Sequence, residues 1–234
     1  MSAQHNLLSK MPQLIQFPLT KTTLDNKQAK NKVETLLQNM DRECFNGEDG
    51  HYDCILLMRE GAKDNTTGHC LYLLVEGNVL LSSALITNGS QITFRWTPPS
   101  QRKKGYAQQI LVQLEVLWER CCAHRPLWVC SYPYMEKSNA KAGWVKFPHP
   151  NRDGTQDWLP PQFLDRYTKQ WHRMEEGRKQ GLEGFSAQVQ KGLYNKEELE
   201  QFSVDYIKLV TMNLVYNDFK DLNSLCKRVK KLKF

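Results

Sequence analysis

A chain of 234 residues with 40% hydrophobic and 10% aromatic side chains can build one packed core with an appendage, or two small domains, and is too apolar to stay disordered. No apolar run reaches the length that spans a bilayer, and the opening MSAQHNLLSKMPQ has no charged flank followed by a long apolar block. A soluble, unsecreted protein without membrane contact is therefore expected, cytoplasmic or alternatively nuclear. The net charge of +7 and isoelectric point near 9.0 favour an anionic partner, whether nucleotide cofactor, nucleic acid or acidic surface, without choosing among them.

Residues 13–19, QLIQFPL, read as a short strand ended by Pro18. Val33, Leu36, Leu37 and Met40 mark one face of an amphipathic helix over residues 28–45, closed by Asn46-Gly47. Residues 52–59, YDCILLMR, form a β-rich run, followed by a polar loop over 61–68. Residues 70–76 and 79–87 flank Gly77-Asn78 as a hairpin, and Asn88-Gly89 offers a second tight turn. The seven cysteines (Cys44, Cys54, Cys70, Cys121, Cys122, Cys130, Cys226) are odd in number and lack a C-x-x-C pair, which points to reduced thiols and not to a disulfide framework or zinc knuckle.

The stretch ITFRWTPPSQRKKGYAQQILVQLEVL, residues 92–117, organises the chain. Ile92, Phe94 and Trp96 alternate with Thr93, Arg95 and Thr97, the period of a strand with one buried face. Pro98-Pro99-Ser100 stops it, and Gln101, Arg102, Lys103, Lys104 and Gly105 follow. From Ala107 onward Ile110, Leu111, Leu114, Leu117 and Trp118 recur at helical spacing. A strand, a cationic turn with a glycine and a helix start bring free N–H groups, a positive helix end and mobile cations to one point, which is an anion site. Neither the three glycines of a dinucleotide fingerprint nor the Gly-Lys-Ser/Thr of a P-loop is present.

Pro99-x-x-Arg102-x-x-Gly105-x-Ala107 resembles the acyl-CoA-binding signature of the GNAT superfamily of N-acyltransferases, whose core is Arg or Gln, two residues, Gly, one residue, then Gly or Ala. The resemblance covers about residues 71–147 and is absent from both ends of the chain. It implies a mixed α/β fold, a mostly antiparallel sheet with two splayed parallel strands and flanking helices. It further implies acetyl-CoA as cofactor, held by Trp96, Thr97, Arg102, Lys103, Lys104, Gly105, Tyr106 and Ala107. Leu127-Trp128-Val129-Cys130 would be the second splayed strand. Ala142-Gly143-Trp144 with Phe147 resembles the family's turn into its last strand. The family often carries an Asn early in this segment and a Tyr four residues before that Gly; this chain has Tyr132 and Asn139 there. Tyr132 and Tyr134 are thus the candidate proton donors, and Glu76 the candidate base.

From residue 151 the composition changes, with prolines and glycines breaking the chain and no β-rich alternation returning. Residues 163–174 and 196–216 read as helices, and Phe219, Leu222 and Leu225 continue the second over 218–229. The expected organisation is an acetyltransferase domain over 1–150 and a helical extension over 151–234. Five cations in the seven residues 227–233 predict an exposed basic tail for partner binding or nuclear import. The activity implied is transfer of an acetyl group from acetyl-CoA to an amine of a small molecule, peptide or protein. The alternative is a catalytically weak or inactive binding protein on the same scaffold, contacting nucleic acid or an acidic partner.

Overall fold

Gly77, at φ +52°, and Asn78 fold the run from Cys70 to Thr87 back on itself, and the strands on either side of this turn are the centre of the sheet. The structure, a computed structural model, describes residues 12–44, 54–63, 69–87, 90–122, 125–151, 154–182 and 193–234. In chain order these form β1 (Gln13–Pro18), α1 (Lys21–Leu24), α2 (Lys27–Cys44), α3 (Cys54–Lys63), β2 (Cys70–Glu76), β3 (Val79–Thr87), β4 (Gln91–Trp96) and α4 (Tyr106–Cys121). Then follow β5 (Trp128–Ser131), α5 (Pro133–Lys141), β6 (Val145–Lys146), β7 (Gln156–Leu159), α6 (Leu164–Lys179), α7 (Lys196–Tyr216) and α8 (Leu222–Val229). The seven strands lie in the order β1-β2-β3-β4-β5-β7-β6, antiparallel throughout except for the parallel β4–β5 pair. This is the mixed α/β sheet with one parallel pair and flanking helices that the resemblance implies.

Both faces of the sheet are covered, which is why β2 and β3 read as continuous apolar runs instead of alternating ones. On one face Leu71, Leu73, Phe94 and Trp96 pack with Val33, Leu36, Leu37 and Met40 of α2 and with Leu225 and Val229 of α8. On the other, Tyr72, Ala84 and Ile92 pack with Ile110, Leu111 and Trp118 of α4 and Tyr167 of α6. The sequence reading put Ile92, Phe94 and Trp96 on one face. The register corrects this: Leu85 pairs with Phe94 but Ile86 pairs with Ile92, so Thr93 is an extra residue, a β-bulge that reverses the alternation.

Three further expectations change. Residues 54–63 are helical, not extended, because Cys54, Ile55 and Met58 bury at helical spacing while Leu56 stays half exposed; Tyr52 and Asp53 lie outside the described residues, as do the Asn46-Gly47 and Asn88-Gly89 turns. A strand does return after residue 151: β7 sits between β5 and β6, so the sheet runs across residue 150. Its four residues are too few to display a period. Asp218, at φ +54°, ends α7, and α8 restarts with Asp221 capping the Ser224 N–H at 2.7 Å.

The basic tail is docked, not free. The Lys233 N–H donates to the Asn78 carbonyl at 2.8 Å and the Leu80 N–H to the Lys233 carbonyl at 3.0 Å. Arg228 donates to the Gly77 carbonyl and the Asn78 side chain, and Leu232 is buried. Lys227, Lys230, Lys231 and Lys233 are nonetheless exposed, and Lys230 Nζ donates to Gln28 Oε1 at 2.9 Å.

The sheet's outer strand, β1, tolerates Pro18 because an edge residue can lack an N–H donor. That edge is closed by side chains: Asn213 of α7 accepts from the Gln16 N–H at 2.7 Å and donates to the Gln16 carbonyl at 2.9 Å, and Asn217 donates to the Leu14 carbonyl at 3.2 Å. Asn213 thereby replaces a strand partner. Asn213→Ala should lower unfolding free energy by about 1–3 kcal/mol, the cost of stranding a buried polar group, in denaturant titrations followed by circular dichroism; an unchanged midpoint would mean that water closes this edge equally well.

Candidate functional site

β4 and β5 are hydrogen-bonded only through the pairs Gln91–Trp128 and Ile92–Val129. Beyond them β4 continues along β3, with Phe94 opposite Leu85 and Trp96 opposite Ser83, whereas β5 follows β7, with Cys130 opposite Asp157 and Ser131 opposite Gln156. The parallel strands therefore part. The bulge at Thr93 is the local cause, since an extra residue bends its strand and breaks its ladder; the Thr87 and Thr93 hydroxyls bridge it at 2.5 Å. The C-terminal end of β4 is fixed in turn by the Ser82 and Ser83 hydroxyls, which donate to the Trp96 carbonyl at 3.2 and 3.3 Å, and by Ser82 and Thr97 hydroxyls 3.1 Å apart.

The cationic turn lies at the end of β4. Pro99–Gln101 is a single 3-10 turn, Lys103 and Gly105 have φ of +63° and +83°, and α4 begins at Tyr106, one residue before the expected Ala107. The Gly105 carbonyl accepts from the Gln108 and Gln109 N–H groups at 3.1 and 3.0 Å, while those of Lys103 through Ala107 make no backbone hydrogen bond among the described residues. Those of Tyr106 and Ala107 belong to the first turn of α4, where the dipole is positive, and those of Lys103, Lys104 and Gly105 lie just before it. A Cβ on Gly105 would meet nothing within 4 Å, so the backbone there faces open space.

The cations divide into two sets. Lys103 and Lys104 are exposed, with Lys104 Nζ 3.0 Å from Gln101 Oε1. Arg102 turns back: its Nε donates to the Thr97 carbonyl at 3.1 Å and its guanidinium pairs with Glu43 at the end of α2. Glu43 also accepts from Trp96 Nε1 at 3.0 Å. The Trp96 ring is therefore on the α2 side of the sheet, 6.4 Å from the Phe234 ring and perpendicular to it. Glu43 escaped the sequence reading because it stands far from Arg102 in the chain with no motif around it. Tyr106 and Ala107 are half-buried at the head of α4.

Across the gap, Ser131 ends β5 and Pro133 occupies the first position of α5, with Tyr132 as its N-cap and 49% exposed. Tyr134 is in the first turn of α5; its side chain lies outside the described residues. Asn139 is fully buried and donates from Nδ2 to Ser131 Oγ at 2.6 Å, while its Oδ1 has no partner among the described residues. Gln108 Nε2 donates to the Lys141 carbonyl at 2.5 Å, tying the start of α4 to the end of α5. Glu76 is exposed at the hairpin, opposite Val79 and two strands from β4, and belongs to neither wall of the gap.

Glu43 places a negative charge beside the turn and holds one of its three cations. The pair is partly exposed, so its worth is about 0–1 kcal/mol. Glu43→Gln should consequently strengthen the binding of an anion such as inorganic pyrophosphate at this turn by roughly two- to fivefold at low ionic strength, with the gain shrinking as salt screens it. Isothermal calorimetry at two salt concentrations checks this; weaker binding by the variant would mean that Glu43 aims Arg102 instead of competing for it.

The sequence matches no protein family model and no curated protein. Among solved structures, the chain is similar to mutant forms of the spermidine/spermine N-acetyltransferase SpeG from Vibrio cholerae, at 13% identity and a TM-score of 0.40, over 66% of this chain and 99% of that one.

Proposed function

We propose that this protein is an N-acyltransferase that takes an acetyl group from acetyl-CoA and delivers it to an amine of a small molecule, peptide or protein. The observation that carries this reading is the parting of β4 from β5 directly before a glycine-containing turn with unspent N–H groups. The two features suit the two halves of the cofactor. An extended arm bearing amides needs a strand edge that is not laddered to a neighbouring strand, which β4 offers beyond Ile92, where its pairing with β5 ends. A pyrophosphate needs a cradle of backbone donors with nearby cations, which Lys103, Lys104, Gly105, Tyr106 and Ala107 supply, and a glycine that lets the backbone approach closely. The residues therefore fit the group.

Bound acetyl-CoA would supply the activated acyl carbon. This chain would hold it, exclude water around it and manage the proton. Tyr132 and Tyr134 are the candidate donors to the departing thiolate, at the start of α5. The other reading, a nucleic-acid-binding protein, draws on an open concavity lined by Gln28, Asn31, Lys32, Thr35, Lys230 and Lys231. Thermal shift with acetyl-CoA against a short oligonucleotide separates the two, because a ligand of the folded state raises apparent stability with the logarithm of its concentration over Kd.

Gly105→Glu tests the cradle directly. It adds a side chain and a negative charge at the donors, and weakens acetyl-CoA binding by at least about tenfold, or 1.4 kcal/mol. Gly105→Asn is the control for the positive φ, since asparagine visits that region, and keeps most of the affinity. Equal, tight binding by Gly105→Glu and wild type in calorimetry defeats the reading.

On an amine acceptor found by screening, Tyr132→Phe or Tyr134→Phe should slow turnover by about a hundredfold or more, the scale of a general acid, with acetyl-CoA affinity nearly unchanged. Such a loss is the mark of an interaction made only in the transition state. Full turnover in both variants excludes a tyrosine donor.

A further inference from the structure

Of the six cysteines whose side chains are described five are buried, and among them Cys130 alone is half-buried. It stands on β5 one residue past Val129, the last residue paired with β4, and so at the point where the gap opens. Its partner across the β5–β7 ladder is Asp157, which the pairing sets on the same face of the sheet.

Around these two a hydrogen-bonded group closes. Tyr167 donates to Asp157 Oδ2 at 2.5 Å and Asn151 Nδ2 to Oδ1 at 2.9 Å. Cys130 Sγ lies 3.0 Å from Thr155 Oγ1 and 3.5 Å from Asn151 Nδ2. Asp157 is only 2% exposed, yet no cation pairs with it at ion-pair distance among the described residues. Burial pushes its carboxyl above the ordinary carboxylate range, against the hydrogen bonds from Tyr167, Asn151 and Cys130 that pull it down. A nucleophile within hydrogen-bond reach of a base, with the base oriented by further groups, is the arrangement of covalent catalysis. By contrast the thiols of Cys121 and Cys122 are pushed up by burial and, further, by the nearby Asp205 carboxylate.

We propose that Cys130 is an acyl-accepting nucleophile with Asp157 as its base, so that acyl transfer passes through a thioester on this chain. The proposal rests on the acyltransferase reading above. In the first step the Cys130 thiol gives its proton to Asp157 while Sγ bonds to the acetyl carbonyl carbon; the bond from that carbon to the coenzyme A sulfur breaks, and that sulfur takes a proton from Tyr132 or Tyr134, the donors named above. One thioester replaces another, so no oxidant or reductant is consumed. The Asn151 amide, 3.5 Å from Sγ, is placed to donate to it as its charge develops, once the thiol has turned from Thr155 Oγ1. In the second step the acceptor amine bonds to the same carbon, the Cys130 sulfur leaves and regains its proton from Asp157, and the tyrosine recovers one from the amine nitrogen.

The test needs no acceptor. The full chain is mixed with acetyl-CoA and followed by intact mass and peptide mapping. The expected result is one added acetyl group on Cys130, released by neutral hydroxylamine, absent in Cys130→Ala, and formed about a hundredfold more slowly in Asp157→Asn. Asp157→Asn keeps the side chain's shape and removes a buried charge; its fold is checked by circular dichroism. Calorimetry run alongside separates the failures. If acetyl-CoA binds and no acetyl group, or one on another residue, appears, the proposal is overturned while the acyltransferase reading stands. If acetyl-CoA does not bind, both fall. A second readout is free of coenzyme A: Asp157→Asn should slow alkylation of Cys130 by iodoacetamide severalfold, whereas equal rates in folded wild type and variant would make this group a strut between β5 and β7 and overturn the role given to Asp157.

Discussion

The bulge at Thr93 is the constraint on which the rest of this structure turns. One extra residue in β4 does two things at once. It sends Phe94 and Trp96 to the face covered by α2 and α8 while leaving Ile92 on the face covered by α4, and it ends the ladder with β5 after two residue pairs. A strand that continued straight would bury its whole edge against β5 and leave no gap. The unpaired length of β4 is therefore a conformational feature held in place by its neighbours: the Thr87 hydroxyl at the bulge, the Ser82 and Ser83 hydroxyls on the Trp96 carbonyl, and the full antiparallel ladder with β3.

Trp96 carries the geometry of β4 into the helices. Its ring packs edge-on against Phe234, its indole N–H ends on Glu43, and Glu43 holds Arg102. The last residues of the chain are thus connected to the cationic turn through two aromatic rings and one carboxylate. The tail reaches Trp96 because Lys233 pairs with the hairpin backbone around Asn78 and because Leu232 is buried. Lys32 completes the contact from above, with Nζ 4.1 Å from the Phe234 ring. A segment rich in charge behaves here as a structural one, since its apolar residues, its backbone and the Arg228 guanidinium make the contacts.

Polar groups at the gap are distributed unevenly. On the β4 side, hydroxyls and carbonyls satisfy one another, and the unspent donors belong to the turn at Gly105. On the β5 side, burial is deeper: Asn139 retains an acceptor without a partner among the described residues, and the carboxyl of Asp157 is held by neutral donors. Buried groups of this kind cost stability unless something else repays them. They gather beside β5 from two other elements, Asn139 from α5 and Asp157 from β7.

Much of the fold was legible in the sequence. The hairpin at Gly77-Asn78, α2 and its buried face, α7 and the strand–turn–helix from Gln91 to Cys121 rest on short-range rules of period, glycine placement and capping, so local sequence determined them. The helix over 54–63 was misread because an apolar run of that length satisfies a strand as well as a helix, and only the neighbours that bury Cys54, Ile55 and Met58 select between them. The site was half visible: the turn from Arg102 to Ala107 is contiguous, whereas Glu43, Asn139 and Asp157 reach it from separate elements. By itself the sequence determined most of the elements and the cationic turn. Which strands part, which cation is held back and which carboxyl is buried were decided by tertiary structure, because a bulge, an ion pair and a desolvated group exist only between segments distant in the chain.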